Sequence, residues 1–182
     1  MVALFLAEGF EEIEAITPLD LLRRAGVDVT TFAVGTEKTV TGAHGIPVVC
    51  DEILEDLKGD FDLIILPGGM PGTKNLAASE KVKKIVLRQN ERGKGIAAIC
   101  AAPTVLGALG LLKNKKATCY PGMEPLLFAE TVSLEKVAED GNIVTSRGAG
   151  TAYHFALRLI ARLKGEDTAR QIAAGTVFDK VK

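Results

Sequence analysis

The stretch "GIAAICAAPTVLGALG", residues 95–110, joins two periodicities. Its first five residues are small or apolar without a break, the pattern of a strand buried on both faces, and such strands belong to parallel sheets. From Pro103 onward, Leu, Val and Ala recur at helical spacing. A proline in the first helical turn costs little, because its missing N–H would have no partner there. Cys100 stands at the junction. Buried cysteine is common as a small apolar filler, so a chemical role for it needs partners from elsewhere in the chain.

Outward from this stretch the same alternation repeats. "VALFLA" (2–7), "VDVTTFAV" (27–34), "FDLIIL" (61–66) and "NIVTS" (142–146) read as further strands. Helical patterns fall at about 10–25, 79–92, 101–112 and 151–164, with a last one over 167–178. Residues 36–50, rich in glycine and carrying "IPVV", read as a small hairpin. Strands alternating with helices predict a doubly wound, mostly parallel α/β sheet with helices on both faces. No linker, repeat or low-complexity tract interrupts the pattern, so one domain is expected over 1–182.

Composition narrows the classes of function. The 182 residues carry 22 Lys and Arg against 23 Asp and Glu, a net charge of −1. A nucleic-acid footprint needs a clustered basic face, and the densest basic patch, "KNKK" (113–116), reads as a solvated turn. The apolar run at the N-terminus ends at Glu8, too short for a signal-peptide core or a membrane span. A soluble, cytoplasmic protein with reduced thiols is expected. Cys50, Cys100 and Cys119 form no CxxC pair, and two histidines offer no ligand cluster, so no metal site is expected.

In such sheets ligands bind beyond the carboxyl ends of the strands. The loops there are "EGFEEIE", "PGGMPG", "CAAP" and "RGAGT". "AICAAP" has the small neighbours of a nucleophile elbow, though not the flanking glycines. Bringing a free thiol from a pKa near 8.5 to about 6 requires roughly 3.4 kcal/mol. A helix N-terminus supplies about 0.3–1 kcal/mol, and ~2 when partly buried. A second partner for Cys100 is therefore expected.

Glu14 is the candidate. Helical spacing places it with Phe10, Thr17 and Leu21 on the apolar side, although Pro18 blurs the register. A half-buried carboxyl has a raised pKa and can stay protonated, and it can then donate a hydrogen bond to a thiolate without adding a second negative charge. Glu11 and Glu12 read as an exposed acidic first turn, favoured by the helix dipole. Gly68 and Gly69 can bring backbone amides close to an oxyanion, or simply make a tight turn. Gly148, in "SRGAGTA", is a candidate substrate-binding position, but the G-x-G there lacks the third glycine of a dinucleotide fingerprint. His154 reads as an ordinary helix residue; His44, on an irregular segment, is a candidate auxiliary group.

Together, "LAEGFEEIEAITPLDLLRRAG", "DLIILPGG", "AAICAAP" and "TSRGAGT" resemble the ThiJ/PfpI superfamily, in its branch of Parkinsonism-associated deglycases and their bacterial relatives. The likeness runs over nearly the whole chain in the same order. It implies a flavodoxin-like sandwich, a homodimer, and cofactor-independent glyoxalase or deglycase chemistry on methylglyoxal, glyoxal or their adducts. It also implies an oxidation-sensitive cysteine in stress response. By this resemblance Cys100 is the nucleophile, Glu14 the protonated acid beside it, and Gly69 and Ala101 supply oxyanion-binding amides. Two departures stand out. Ala101 occupies the position where the protease-like branch has a histidine, which disfavours peptidase activity. "CYP" puts Tyr120 where the deglycase branch often has a histidine, and His44 falls where some relatives carry an arginine that reaches across a dimer interface.

Two functions follow as expectations. The first is an enzyme using Cys100 against a small reactive aldehyde or glycated adduct, with no cofactor. The second is a redox sensor or chaperone without substantial turnover. A glutamine amidotransferase needs a glycine-flanked cysteine and a late His–acid pair, and a nucleotide module needs a phosphate loop; the sequence offers neither.

Overall fold

The computed structural model describes residues 1–57 and 59–178. The expected domain over 1–182 also takes in residues 58 and 179–182, which lie outside the described residues. The strands are β1 (Val2–Leu6), β2 (Val29–Ala33), β3 (Thr39–Thr41), β4 (Pro47–Val49), β5 (Glu52–Ile53), β6 (Leu63–Leu66), β7 (Gly95–Ile99), β8 (Lys116–Ala117), β9 (Thr131–Val132), β10 (Val137–Asp140) and β11 (Ile143–Ser146). The helices are α1 (Glu12–Arg24), α2 (Gly72–Ala78), α3 (Glu80–Glu91), α4 (Pro103–Ala108), α5 (Ala152–Lys164) and α6 (Glu166–Gly175).

Seven strands form one sheet in the order β10-β11-β7-β6-β1-β2-β5. All its neighbours run parallel except β10, which pairs antiparallel with β11. The continuous apolar runs have a direct cause, since both faces of the sheet are covered. Leu4 and Leu6 point to a core shared with α1, α5 and α6, through Leu21, Leu22, Phe155 and Leu159. Ala3 and Phe5, one residue out of phase, point to the opposite core with Leu76, Val82, Val86 and Leu106. The order reverses about β1: β2 lies on one side, and β6, β7 and β11 on the other. That switch point opens the crevice where the loops after β1, β6, β7 and β11 meet.

Several expectations change here. The helix expected over 101–112 is only Pro103–Ala108. The Leu111 N–H folds back onto the Leu106 carbonyl at 3.0 Å, the six-to-one bond that closes a helix end. Helix α2 went unpredicted because "GTKNLAA" is too short to show a period. Strand β10 is also absent from the expected elements, although Gly141-Asn142, the two-residue loop between Asp140 and Ile143, puts glycine at the first central position of a tight hairpin turn. The expected hairpin over 36–50 is the β3–β4 ladder. No helix among the described residues is long and apolar enough to cross a membrane.

Ile65 is fully buried in β6, paired with Leu4 on one side and Ala97 on the other. Ile65→Ala is expected to cost about 2–5 kcal/mol in urea-unfolding free energy, through lost transfer energy and the cavity left behind. A cost under about 1 kcal/mol, the level of an ordinary substitution, would contradict this packing.

Candidate active site

Cys100 directly follows β7 and holds a backbone φ of 64°, a left-handed conformation that a side chain adopts only under strain of roughly 1–3 kcal/mol. Two backbone bonds hold it there. Its N–H donates to the Ser146 carbonyl at 2.9 Å, and its carbonyl accepts from the Tyr120 N–H at 2.8 Å. The turn lifts the thiol out of the sheet, so Cys100 is partly exposed while Cys50 and Cys119 are buried.

Glu14 reaches it from α1. The helix runs through Pro18 unbroken, and Glu14 lands on the buried face at 1% exposure. Its Oε2 accepts the Gly68 N–H at 2.9 Å. Burial pushes Glu14 up to about 7; a hydrogen bond with Cys100 and the Gly68 amide work against that rise. Burial, the Glu14 charge and the Glu14 hydrogen bond together push the Cys100 thiol up to about 12, against the Ala101 and Gly69 N–H groups, which lower it. The lowered thiol expected from the helix start together with Glu14 is not found: burial is the largest cause of the rise, and a charged Glu14 adds to it. Two of the three raising causes come from Glu14. They are removed or reversed when Glu14 holds a proton, so the two groups titrate as one pair.

The amides are placed by close backbone approach. A Cβ on Gly68 would lie 2.6 Å from Glu14 Oε2 and 2.7 Å from Cys100 Cβ. On Gly69, at φ 90°, it would lie 2.3 Å from the Glu11 nitrogen. No side chain fits either position. Gly148 and Tyr120 border the same crevice: the Tyr120 ring lies against Gly148, whose open side faces Glu14 Oε1.

His44 is placed otherwise. Its Nδ1 meets Glu12 Oε2 at 2.9 Å, its N–H donates to Glu12 Oε1 at 2.8 Å, and its side chain is 68% exposed. Glu12 is not the exposed first-turn acid expected, for only 7% of it is accessible. The β3–β4 hairpin covers it, with Gly42 directly against its carboxylate. Burial opposes the Glu12 charge, but His44 and the N–H groups of Glu12, His44 and Ile46 outweigh it and hold the carboxyl below its usual value. His44 is raised by its bond to Glu12 and by the charges of Glu11 and Glu12. These three residues bring ligating atoms within 4.8 Å of one another; the His44–Glu12 contact accounts for that convergence. The Arg147–Glu124 pair (3.7 Å), which ties the Tyr120 loop to the Gly148 loop, had no sequence signal beyond two charges far apart in the chain.

A thiol on a strained strand-to-helix turn, answered by a buried carboxyl at the switch point, places the molecule among α/β proteins built around a cysteine elbow. The chain belongs to the DJ-1/PfpI family, whose pattern matches residues 1–162. It is 38% identical over 178 residues to the Parkinson disease protein 7 homolog of Danio rerio, covering 95% of this chain and 94% of that protein. Over 167 residues it is 35% identical to the glutathione-independent glyoxalase DJR-1.2 of Caenorhabditis elegans, covering 91% of this chain and 89% of that one. Protein DJ-1 homolog B of Arabidopsis thaliana is 43% identical over 176 residues, 95% of this chain but only 40% of the plant protein's length. The structure of oxidized Toxoplasma gondii DJ-1 superposes with a TM-score of 0.94 at 36% identity, over 97% of both chains. The fold is the flavodoxin-like α/β sandwich of that family.

The raised carboxyl carries a signature in stability. Below pH about 4.5 the folded and unfolded states both hold the Glu14 proton. Between there and about 7 only the folded state holds it, so rising pH removes stability, about 3 kcal/mol by the end of the window. Glu14→Gln is expected to flatten that slope in urea unfolding measured from pH 4 to 8. An unchanged slope would place the titration elsewhere.

Proposed function

We propose that this protein is a cofactor-independent glyoxalase that converts methylglyoxal and related 2-oxoaldehydes to 2-hydroxy acids, the same attack serving as a deglycase on their adducts. The carrying observation is the buried Glu14 against the Cys100 thiol, with backbone amides on both. After the pair loses its first proton, one negative charge remains. On sulfur it meets the Gly69 and Ala101 N–H groups and the Glu14 hydroxyl, at the more exposed of the two residues. On Glu14 it would sit at 1% exposure with one amide and a weak S–H donor. The donor set therefore favours thiolate beside acid.

The thiolate adds to the aldehyde carbon, and Glu14 gives its proton to the oxygen that gains charge, forming a hemithioacetal. Glu14, now a carboxylate, takes the hydrogen from that carbon as a proton, leaving an enediolate, and returns it to the neighbouring carbon while the hydroxyl proton passes to the former ketone oxygen. The first carbon is oxidised and the second reduced, so no outside electron carrier enters. The thioester that results is hydrolysed by water, releasing the hydroxy acid and the thiol. The named glyoxalase relative supports the class of reaction. A homodimer belongs to the same reading, supported by the exposed Ile13 and Ile46 beside the Glu12–His44 contact.

A redox-sensing or chaperone role is the second reading, favoured by Cys100 being the one partly exposed thiol of three. Mild peroxide and peptide mass spectrometry separate the two: oxygen addition confined to Cys100 in a protein without aldehyde turnover favours the sensor.

The glyoxalase reading predicts that Cys100→Ser forms no lactate from methylglyoxal. Glu14→Gln should lower kcat by about 10²–10⁴-fold, the range for a lost general acid–base. Steady-state consumption with the product identified by NMR checks both, and wild-type turnover in the Cys100→Ser variant would refute the mechanism.

A further inference from the structure

Glu11 stands at the N-cap of α1, with extended φ and ψ of −80° and 117°, but its side chain caps nothing. N-cap side chains usually accept an N–H of the first helical turn. The Glu11 carboxylate turns instead to the β3–β4 hairpin, where its Oε2 lies 3.6 Å from His44 Nδ1, and only 17% of the side chain is exposed. The Glu11 backbone N–H donates to the Gly68 carbonyl at 3.0 Å, and the Gly68 N–H donates to Glu14 Oε2 at 2.9 Å. Gly68 thus ties Glu11 to Glu14. Three residues apart at a helix start, the two side chains are also neighbours on one face.

We propose that Glu11 is a positioning residue for the Glu14 proton, its negative charge disfavouring a second carboxylate beside it, and that His44 regulates this influence. Its effect on sulfur rests on the thiolate-beside-acid reading of the pair; the aldehyde step plays no part in it. Burial raises Glu14 most, and the Glu11 charge adds to that rise. A charged Glu14 in turn raises the thiol. By keeping Glu14 an acid, Glu11 pushes the single negative charge of the pair toward sulfur. His44 is the counterweight. An imidazolium at 3.6 Å offsets the Glu11 charge, and a neutral imidazole does not. The ring is 68% exposed, and its bond to Glu12, with the Glu11 and Glu12 charges, holds its proton above the ordinary histidine value. As pH rises through the His44 titration the imidazolium is lost and Glu11 acts unopposed. Glu14 then holds its proton more firmly in the range where it would otherwise release it. Around Glu14 the titratable neighbours are Cys100, from the turn after β7, and Glu11. Around His44 they are Glu12 and Glu11, from the start of α1. Glu8 binds the same hairpin through the Thr41 N–H.

Carbon NMR of isotope-labelled glutamate carboxyls, with the Glu14 signal assigned by its absence from Glu14→Gln, tests this without any substrate. Glu11→Gln should lower the Glu14 midpoint by about 0.5–1 pH unit, the size of a screened charge at this range. His44→Lys, charged throughout, should titrate at or below wild type, and His44→Gln above it. A merely structural His44 would move both variants together, since each loses the ring bond to Glu12. Alkylation of Cys100 by iodoacetamide at neutral pH reads the consequence for sulfur. It should be about three- to tenfold slower in Glu11→Gln, the same shift expressed as a rate. An unchanged Glu14 midpoint in Glu11→Gln, or equal midpoints in the two His44 variants, overturns the inference. A lowered midpoint in a protein whose Cys100 forms thiolate only above about 8.5 keeps the hold of Glu11 on Glu14 and refutes the thiolate-beside-acid reading. Should Glu11→Gln fail to fold, the exposed His44 and its two variants decide it.

Discussion

Glu14 and Cys100 share a space in which both cannot be ionised. The carboxyl is removed from water, the thiol is mostly so, and a charge on Glu14 raises the thiol. This constraint turns an unremarkable pair of residue types into a reactive one. A carboxylate alone at this depth would suppress the thiolate. A carboxylic acid at the same place becomes a donor to it. The strained turn at Cys100, the glycines of the β6 loop and the depth of α1 against the sheet all serve to hold the two groups at this separation.

The frame around the pair is built from close backbone contacts. The segment from Gly9 to Glu11 lies directly on the Gly68–Gly72 loop: the Glu11 N–H donates to the Gly68 carbonyl, and the Gly72 N–H to the Gly9 carbonyl, each at 3.0 Å. From the other side the β3–β4 hairpin holds the same segment, through Gly9 N–H to Thr41 and Ala43 N–H to Phe10, and through the Glu12 carboxylate on His44. The charged side chains nearest the N-terminus of α1 thus have separate tasks. The amides and imidazole that fasten the hairpin hold the Glu12 carboxyl below its usual value, and burial raises Glu14, two residues further along the helix, to about 7.

The five parallel strands β1, β2, β6, β7 and β11 can be read from sequence because both faces of the sheet are covered, which leaves uninterrupted apolar runs. Strand β10, as long as β6 and β11, is a half-buried edge strand without such a run. The shorter β5, β8 and β9, of two residues each, carry no period to read. Glu14 was legible from its spacing to Phe10 and Leu21, since helical phase is a local property that survived Pro18. Glu12 was misread for the complementary reason. Its burial comes from a hairpin thirty residues away, and helical phase alone points it outward. Tyr120 shows the same limit: its bond to the Cys100 carbonyl depends on how the chain returns after α4. Local pattern located the thiol and the acid, while long-range packing decided their surroundings.

The central claim is that the single charge of the pair resides on sulfur while Glu14 keeps its proton. Ultraviolet thiolate absorbance across pH, in wild type, Cys100→Ser and Glu14→Gln, tests it most directly. The account predicts a signal absent from Cys100→Ser that develops in wild type as the pair loses its first proton, below the ordinary thiol value of about 8.5. A thiolate that forms only above the ordinary thiol value of about 8.5 would put the charge on Glu14 and contradict it.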